Sequence, residues 1–419
     1  MKPEILSSLI GYKRADLLAD GLAGVTVAMV AIPLSLAIAI ASGAPPGAGL
    51  VTAVVAGFLI SALGGSKVQI GGPTGAFIVV VAGIAAAHGM GGLVIATFMA
   101  GLILIAAGLL RLGRLVTYVP EPVIDGFTIG IGIIIATSQL PDLFGLRLAA
   151  PAPAEFLPKL AALWDARATV SWPAVAIAAL TVALITVLRR AFPRFPGLIV
   201  AVGAASALAV ALDLPVDTIQ SRFGDLPNHL PMPHIPDLSV ARLVELLPSA
   251  LVIAFLAGVE SLLSALVADR MTGQRHRPNA EVMAQGSANL GSALFGGLPA
   301  TGALARTATN IKAGARSPVA GIIHAATVLV TMIVAAPLAG QLAMPALAGL
   351  LLLTAWNMTE PQKWRHHLSL PRPQLALLVI TLLLTVLADL TIAIGTGVLL
   401  GLILRRFQPR PENWTAPDR

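Results

Sequence analysis

The sequence contains no cysteine, and Asp, Glu, Lys and Arg together make up only 11% of its 419 residues. Without cysteine, the chain cannot form a disulfide framework, a cysteine-based zinc site or a thiol nucleophile. We also find no P-loop, HExxH motif or Ser–His–Asp spacing. The sequence therefore offers no residues for enzyme chemistry, and we expect no enzymatic activity, no cofactor and no metal site.

Apolar residues dominate what is present. They make up 57% of the chain, and the mean hydropathy is +0.88, which is typical of an integral membrane protein with little soluble mass. The 40 glycines and 31 prolines suit close helix packing and broken helices inside a bilayer. Membrane lipid is thus the first partner that the composition predicts.

The apolar residues fall into about fourteen segments. Their approximate bounds are 17–43, 47–63, 74–88, 91–110, 120–140, 170–189 and 196–212 in the first set, and 246–268, 282–296, 302–314, 317–336, 342–357, 374–388 and 390–404 in the second. Several are shorter than the roughly 20 residues that a straight transmembrane helix needs. We predict an all-α membrane protein in which the short segments are half-helices packed inside protein.

The basic residues support this segment pattern. With the N-terminus in the cytoplasm, 21 of the 27 lysines and arginines lie in predicted inside loops, as the positive-inside rule requires. The exceptions are Arg147, Lys159, Arg167, Arg222 and Arg242 in predicted outside loops, and Arg306 within a segment. We therefore predict a multi-pass protein of the cell inner membrane with both termini cytoplasmic. The net charge of +7 then reflects topology, and we expect no nucleic-acid partner.

The two sets of segments form a predicted inverted repeat within one transmembrane domain spanning 1–419. Seven is an odd number, so the second set must enter the membrane from the opposite side to the first. Repeat one covers about 11–212 and repeat two about 246–405. Between them, 213–245 is polar and proline-rich and is predicted to be a linker on the outside.

A small motif occurs at equivalent places in the two repeats. Residues 71–77 read GGPTGAF, and residues 296–304 read GGLPATGAL, which keeps the Gly-Gly, the Pro and the Thr-Gly-Ala. Short, Gly/Pro-interrupted segments at matching places in two halves indicate the central binding site of a transporter. Half-helix N-termini present free N–H groups and a positive dipole end, which suits an anion. We expect binding through the backbone of Thr74, Gly75, Ala76, Gly302, Ala303 and Leu304.

Three polar residues within the predicted membrane segments are functional candidates, because polar groups are costly there. Glu260 is predicted near mid-membrane as a protonation or cation-coupling site, with Ser264 one turn further on the same face. Arg306 would add a full charge to the second half-helix. Alternatively, Arg306 forms a salt bridge with Glu260 or is a surface arginine that snorkels. Near segment ends, Asn289 and Asn310 are expected to form interhelical hydrogen bonds.

Several stretches resemble the SulP family of anion transporters over about residues 11–405. They are residues 20–28 (DGLAGVTVA), Ile32 and Pro33, residues 120–128 (PEPVIDGFT), residues 260–263 (ESLL), and Ala268, Asp269, Asn279, Glu281, Gln285, Gly286 and Asn289. The resemblance implies fourteen helices in two inverted seven-helix repeats, arranged as a core domain and a gate domain. It also implies an elevator-like rise of the core against the gate. The family usually ends in a cytoplasmic STAS domain, whereas this chain stops about fifteen residues after its last predicted segment, so we expect no STAS domain in it.

The resemblance also implies where the substrate binds. By motif alignment, the anion contacts are Leu34, Ile38, Thr74, Ala303, Ala305 and Arg306. Several family members carry polar side chains at the positions of Leu34, Ala303 and Ala305, so backbone dipoles and Arg306 would carry more of the binding here. Sodium-coupled bicarbonate members have an Asp and a hydroxyl residue where this chain has Glu260 and Leu304, which favours a proton over sodium.

Together these features predict a secondary active transporter that carries a small anion with a proton. Glu260 and the apolar side chains around the site favour a dicarboxylate such as fumarate. The alternatives are a sodium-coupled bicarbonate or sulfate transporter, an anion channel, and a nucleobase transporter of similar fold. Nucleobase transporters generally have a carboxylate in the tenth segment, where this chain has Arg306. We expect the protein to form a homodimer.

Overall fold

The described residues fold mainly into helices, with one buried pair of two-residue strands. The structure is a computed structural model, and it describes residues 2–113, 120–150, 153, 155–192, 196–388 and 390–407. In the first half the elements are α1 (Glu4–Ser8), α2 (Arg14–Ala41), α3 (Pro46–Leu63), β1 (Gly71–Gly72), a 3-10 helix (Gly75–Phe77), α4 (Ile78–Leu109), α5 (Glu121–Phe144), α6 (Phe156–Asp165), α7 (Trp172–Ala191) and α8 (Gly197–Ala211).

The second half follows a short connecting helix, α9 (Ile219–Phe223). Its elements are α10 (Val240–Thr272), α11 (Pro278–Leu294), β2 (Thr301–Gly302), α12 (Leu304–Lys312), α13 (Val319–Val334), α14 (Ala336–Gly340), α15 (Met344–Met358), α16 (Trp364–Leu368), α17 (Arg372–Leu387) and α18 (Leu390–Phe407). Short 3-10 helices also occur at Ala166–Thr169 and Pro361–Lys363.

Six helical stretches of the described chain are long and apolar enough to cross a bilayer. They are α2, α3, the 3-10 helix with α4, α5, α7 and α10. Three more, α8, α13 and α17, are apolar but shorter. The predicted helical, multi-pass membrane architecture is therefore confirmed, whereas the count of fourteen segments and their inverted arrangement stay predictions.

The helices depart from the predicted segments at α4 and α10, and α6, α9 and α16 lie outside all of those segments. The 3-10 helix and α4 form one stretch from Gly75 to Leu109, but it breaks at Gly89, whose φ of 68° and ψ of 178° are not helical. This break lies at the predicted boundary between the third and fourth segments. The helix α10 begins at Val240 rather than near 246, so its first turns precede the predicted segment, and Glu245 in these turns lies 3.0 Å from His88 Nδ1 on α4.

The helices form two sets, and the helices within each set pack tightly against one another. The helix α4 packs on α10 and α11, and α13 packs on α2 and α3. Separately, α5 packs on α15 and α17, and α15 also packs on α7. The strands β1 and β2 lie inside the first of these sets, because α3 and α10 are the helices that contact them.

The first helix, α1, is attached to the end of α3 and the start of α11. The amide N–H of Glu4 donates to the carbonyl oxygen of Gly64 (2.8 Å), and the Glu4 carboxylate forms an ion pair with Arg277 (2.9 Å). Arg277 also donates to the carbonyl oxygen of Lys2 (2.9 Å) and to Ser7 Oγ (2.7 Å). This short helix is therefore fastened to the helical set that contains the strands.

Candidate functional site

The two sequence motifs meet at an antiparallel pair of strands. Gly71 pairs with Gly302 and Gly72 with Thr301, and the amide of Ala303 donates to the carbonyl oxygen of Ile70 (2.8 Å). Antiparallel strands run in opposite directions, so the chain leaves the pair at opposite sides and begins a helix on each. The N-termini of the 3-10 helix and of α12 are therefore brought together across β1 and β2.

Glycine is required at the strands because other groups approach them closely. Gly72 has a φ of 150°, which favours glycine, and a Cβ there would overlap Nη1 of Arg306. A Cβ at Gly302 would overlap the side-chain amide of Gln69. The repeated Gly residues of the motifs therefore permit backbone and side chains to pack where no side chain would fit.

Polar side chains hold the segments that lead into each strand, from the other half of the chain at β1 and from α11 at β2. Thr307 Oγ1 accepts from the amide of Ile70 (3.1 Å), and Asn310 Nδ2 donates to the carbonyl oxygen of Val68 (2.8 Å). On the other side, Asn289 both donates to and accepts from the backbone of Ala300, at 2.9 Å each. Asn289 and Asn310 thus bond the backbone of the non-helical segments before the strands, rather than forming the hydrogen bonds between helices that were expected of them.

Both helix N-termini lack a side-chain cap. Thr74 precedes the 3-10 helix and Ala303 precedes α12, and neither side chain accepts a hydrogen bond from its helix. The first N–H groups of a helix have no intrahelical acceptor. The amides of Gly75 and Ala76 and those of Leu304 and Ala305 are therefore donors at the positive dipole ends of two helices that start next to the paired strands.

Glu260 lies beside the first of these N-termini. It is partly buried on α10, and its Oε2 accepts a hydrogen bond from Thr74 Oγ1 (3.0 Å). No ion pair among the described residues involves this carboxyl. Glu260 and Arg306 therefore do not form the salt bridge that was one of the alternatives for Arg306.

Arg306 lies behind the strands rather than at a surface. Its side chain is 1% exposed, and Nη2 donates to Ser35 Oγ (3.0 Å) and to the carbonyl oxygen of Pro73 (3.2 Å). Among the described residues, Nε and Nη1 have no hydrogen-bond partner. Arg306 and Glu260 therefore hold neighbouring residues, Pro73 and Thr74, at the start of the same half-helix.

The other predicted site residues are spread over two environments. Leu304, 44% exposed, and Ala305 are open at the start of α12, whereas Thr74, Gly75, Gly302 and Ala303 are buried and Ala76 is half-buried. Ile38 is buried in the core, and Leu34 packs against that core. Ser264 is fully buried, and its Oγ donates to Thr307 Oγ1 (3.3 Å). It therefore links α10 to α12 and is not bonded to Glu260 among the described residues.

Two apolar side chains that the sequence did not single out cover the first half-helix. A Cβ at Gly75 would lie 3.1 Å from Met358 Sδ on α15 and 3.5 Å from Ile135 Cδ1 on α5. The first half-helix thus faces the second helical set. No motif marks Met358 or Ile135, because each is one apolar residue among many in its segment.

Two polar side chains behind the site were also missed as functional residues. Gln69 Nε2 donates to the carbonyl oxygen and to Oγ of Ser261, at 3.0 Å each. Glu281 is fully buried and accepts from Ser261 Oγ (3.3 Å). Glu281 appeared in the sequence only as part of the family resemblance, and Gln69 had no signal at all. The described residues contain no cluster of three or more His, Asp or Glu side chains that could hold a metal ion.

Comparisons with known proteins agree with this geometry. The model of the sulfate permease family matches residues 17–381. A putative sulfate transporter of Bacillus subtilis, YvdB, is 43% identical over 395 residues, which cover 94% of this chain and 74% of that protein. The bicarbonate transporter BicA of Synechocystis is 36% identical, covering 93% of this chain and 70% of that protein.

Solved structures show the same fold. The transmembrane domain of a cyanobacterial bicarbonate transporter BicA has a TM-score of 0.80 and 32% identity, and the match covers 94% of this chain and 98% of that one. SLC26A9 has a TM-score of 0.86 at 20% identity, covering 97% of this chain and 68% of that one. The chain therefore belongs to the sulfate permease family, as a multi-pass membrane transporter of anions and not an enzyme.

Proposed function

We propose that the protein is a secondary active transporter that carries a small anion together with a proton. The observation that carries this proposal is the meeting of two uncapped helix N-termini at β1 and β2, with a partly buried carboxyl, Glu260, hydrogen-bonded to Thr74 at one of them.

The anion would bind between the two N-termini. Free backbone N–H groups and the positive ends of two helix dipoles favour a negative charge at this place. The buried guanidinium of Arg306 adds a full positive charge directly behind the first half-helix, through its bond to the Pro73 carbonyl. The open side chains of Leu304 and Ala305 leave the start of α12 accessible to a ligand.

The proton would bind to Glu260. A charged carboxylate away from water is costly unless it is paired, and among the described residues Glu260 has only the Thr74 hydroxyl as a partner. Protonation would remove a negative charge next to the anion site and so strengthen anion binding. The same carboxyl would repel the anion once the proton leaves, and this coupling is what a symporter requires.

Two substrate classes have support. The apolar side chains of Leu34 and Leu304 suit an anion with a carbon skeleton, such as the dicarboxylate fumarate. The relatives named as sulfate or bicarbonate transporters favour an inorganic oxyanion instead. Both classes present the oxygen acceptors that backbone N–H groups bind.

The packing of the helices supports the inverted repeat. Pairing each predicted segment with the one seven positions later makes α2 equivalent to α10, α3 to α11, the last part of α4 to α13, and α5 to α15. Under this pairing, the packing of α4 on α10 corresponds to that of α13 on α2, and the packing of α4 on α11 corresponds to that of α13 on α3. All four contacts are present. The antiparallel pairing of β1 with β2 has the same two-fold character.

The division into two helical sets supports an elevator-like mechanism. We call α2, α3, α4, α10, α11, α12 and α13 the core set, and α5, α7, α8, α15, α17 and α18 the gate set. Both half-helices and Glu260 belong to the core set, so a rise of this set would carry the anion and the proton together. Location in the inner membrane with both termini cytoplasmic, and assembly as a homodimer, belong to the same proposal.

Uptake of labelled anions into proteoliposomes tests the proposed function. We expect saturable uptake of fumarate, sulfate or bicarbonate that is driven by an inward proton gradient and is unchanged when potassium replaces sodium. Ohmic current without saturation would instead indicate a channel, and sodium dependence would exclude the proton as the coupling ion.

The variant Glu260→Gln separates the proton from the anion. The neutral amide keeps the size of the side chain, so we expect anion binding to persist while the pH dependence of uptake disappears. Glu155→Gln, at an exposed position before α6, is the matched control and should behave as the wild type. Normal pH dependence in Glu260→Gln would contradict the assignment of the proton site.

A further inference from the structure

A fully buried carboxyl, Glu281 on α11, is hydrogen-bonded to Ser261, the residue that directly follows the proposed proton site Glu260. Its side chain is fully buried, and Oε2 accepts from the amides of Gly65 (2.8 Å) and Ser66 (3.2 Å). Oε1 accepts from Gln285 Nε2 (3.0 Å) and from Ser261 Oγ (3.3 Å). All four partners are donors, which uses the full acceptor capacity of a carboxylate.

The four donors come from three different parts of the core set. Gly65 and Ser66 belong to the segment between α3 and β1, Gln285 to α11, and Ser261 to α10. Ser261 follows Glu260 directly in the sequence. Glu281 therefore connects the segment that leads into β1 with the turn of α10 that carries the proposed proton site.

Gln69 completes this connection on the side of the strands. Its amide donates to both the carbonyl oxygen and Oγ of Ser261, at 3.0 Å each, and it occupies the space that a side chain at Gly302 would need. Ser261 is thus held by Glu281 from one side and by Gln69 from the other. A shift of Ser261 would move Glu260 relative to Thr74, because the two residues are adjacent on α10.

We propose that Glu281 is a positioning residue, which holds the Glu260 carboxyl in register with the Thr74 hydroxyl and the first half-helix. The inference rests on the proposed function, since Glu260 is there the proton site. The two carboxyls differ in their roles: Glu260 has one donor partner among the described residues and exchanges a proton, whereas Glu281 has four and holds the backbone.

Charged groups near Glu281 do not replace these contacts. The ring of His276, which lies just before α11, is already bonded through Nδ1 to Asp269 Oδ2 (2.7 Å). Arg277 contacts the same segment through its backbone, where its amide donates to the carbonyl oxygen of Gly65 (3.0 Å). Removal of the Glu281 carboxylate would therefore leave the amides of Gly65 and Ser66 without their acceptor.

The test compares Glu281→Gln, Glu281→Asp and Ser261→Ala in proteoliposomes over a range of pH, with fumarate, sulfate and bicarbonate as probes. In Glu281→Gln an amide N–H₂ group would face donors, so we expect the pH of half-maximal uptake to shift by about half to one pH unit. Ser261→Ala, which removes the shared hydroxyl, should shift it to a similar extent. Glu281→Asp keeps the charge and should restore part of the wild-type profile.

A matched control is Ser42→Ala. Ser42 is fully buried like Ser261, but its hydroxyl donates only to the carbonyl oxygen of Ile38 in its own helix (2.7 Å). We expect its pH profile to equal that of the wild type. If Glu281→Gln does not fold, the comparison of Ser261→Ala with Ser42→Ala decides. An unchanged midpoint in folded Glu281→Gln or in Ser261→Ala would overturn the proposal.

Amide hydrogen exchange gives a readout that does not depend on transport. We expect faster exchange in a peptide covering residues 64–74 of Glu281→Gln and no change in one covering 93–104. If wild-type uptake itself has no pH dependence, the proposed proton coupling fails, and Glu281 is then judged by this exchange and by the KM for the anion. Faster exchange with a raised KM would support the positioning role, and no change in either would refute it.

Discussion

Buried charged groups around β1 differ in how completely their hydrogen bonds are satisfied. Among the described residues, the Glu281 carboxylate accepts from four donors and Glu260 from one, while two nitrogens of Arg306 have no partner. An incompletely satisfied buried group carries a free-energy cost. A ligand that supplies acceptors to Arg306, or a proton to Glu260, would lower this cost, and such groups are therefore suited to change state during transport.

We expect Arg306→Ala to raise the KM for the anion about ten- to hundredfold. A hydrogen bond to a charged group contributes roughly 1.5–3 kcal/mol, and 1.4 kcal/mol corresponds to a factor of ten. Loss of the bond to the Pro73 carbonyl would also loosen the first half-helix. Initial rates of uptake at varied anion concentration measure the effect.

The control for Arg306→Ala is Lys312→Ala, an exposed basic residue at the end of the same helix, α12. It removes the same charge from the chain but should leave the KM unchanged. Arg306→Lys keeps the positive charge, and a single nitrogen, Nη2, makes both bonds to Ser35 and Pro73, so we expect the KM of Arg306→Lys to rise less than that of Arg306→Ala. A normal KM in Arg306→Ala would show that the anion does not sense this charge.

The sequence identified the charged site residues but not their partners. Glu260 and Arg306 were detectable because a charge within an apolar segment is conspicuous. Ser264 was correctly placed on the eighth segment, but helical spacing predicts only a shared face, and its hydroxyl reaches Thr307 instead of Glu260. Gln69 and Glu281 acquire their meaning from Ser261 and from the segment before β1, which no local pattern connects to them.

At the scale of elements, the two half-helices differ in where they begin and in their surroundings. Gly75 is the first residue of a 3-10 helix, whereas its motif equivalent Gly302 lies in β2, two residues before α12. Gly302 is enclosed within the core set, where Gln69 and Ser261 fill the adjacent space, and Gly75 faces Met358 and Ile135 of the gate set. The equivalence that the repeated motif predicted therefore extends neither to the start of the helix nor to the packing.

We expect Gly302→Ala to reduce transport strongly and Gly75→Ala to reduce it less. The added Cβ at Gly302 would displace Gln69 from Ser261, whereas the one at Gly75 would require only a few tenths of an ångström from Met358. Uptake per correctly inserted protein, normalised by size-exclusion profiles, provides the comparison.

Gly83→Ala is the matched control for these two variants. Gly83 lies in α4, and a Cβ there would meet no atom within 4 Å. It should transport normally, because alanine also favours the helix. Equal loss of uptake in Gly302→Ala and Gly75→Ala would show that both glycines meet the same constraint.

Helices were easier to predict than the strands that connect them to the site. Runs of apolar residues and the Gly/Pro breaks marked α2, α3, α12 and the kink at Gly89. The pairing of β1 with β2 was not predicted, since a strand of two residues has no period, and its partner lies in the other half of the chain. The early start of α10 was missed because hydropathy marks the apolar part of a helix rather than its full length.

At the scale of the whole molecule, the packing separates the groups that would move from those that would stay. The candidate site is built on the core set, and Met358 and Ile135 of the gate set lie next to Gly75. Two rigid sets with an apolar boundary can slide past each other without breaking many hydrogen bonds. This arrangement supports the elevator proposal more directly than any single residue does.

The attachment of α1 gives that proposal a physical measurement. Because Arg277 and Gly64 fasten α1 to the core set, the N-terminal helix should travel with the core. Leu6 on α1 is 58% exposed, Val187 on α7 of the gate set is 60% exposed, and the chain has no native cysteine to remove. Spin labels on Leu6→Cys and Val187→Cys would therefore form a pair across the two sets. We expect their distance distribution to shift when anion and acid pH are supplied together, and a distribution that never changes would argue against relative motion.

Because of the same attachment, a label on α1 would report the position of the buried site from outside the substrate path. The candidate site lies within the core set, whereas α1 carries exposed side chains such as Leu6 that a probe can reach without entering the proposed substrate path. A spectroscopic label there would follow each turnover from the outside, while the half-helices themselves remain unmodified.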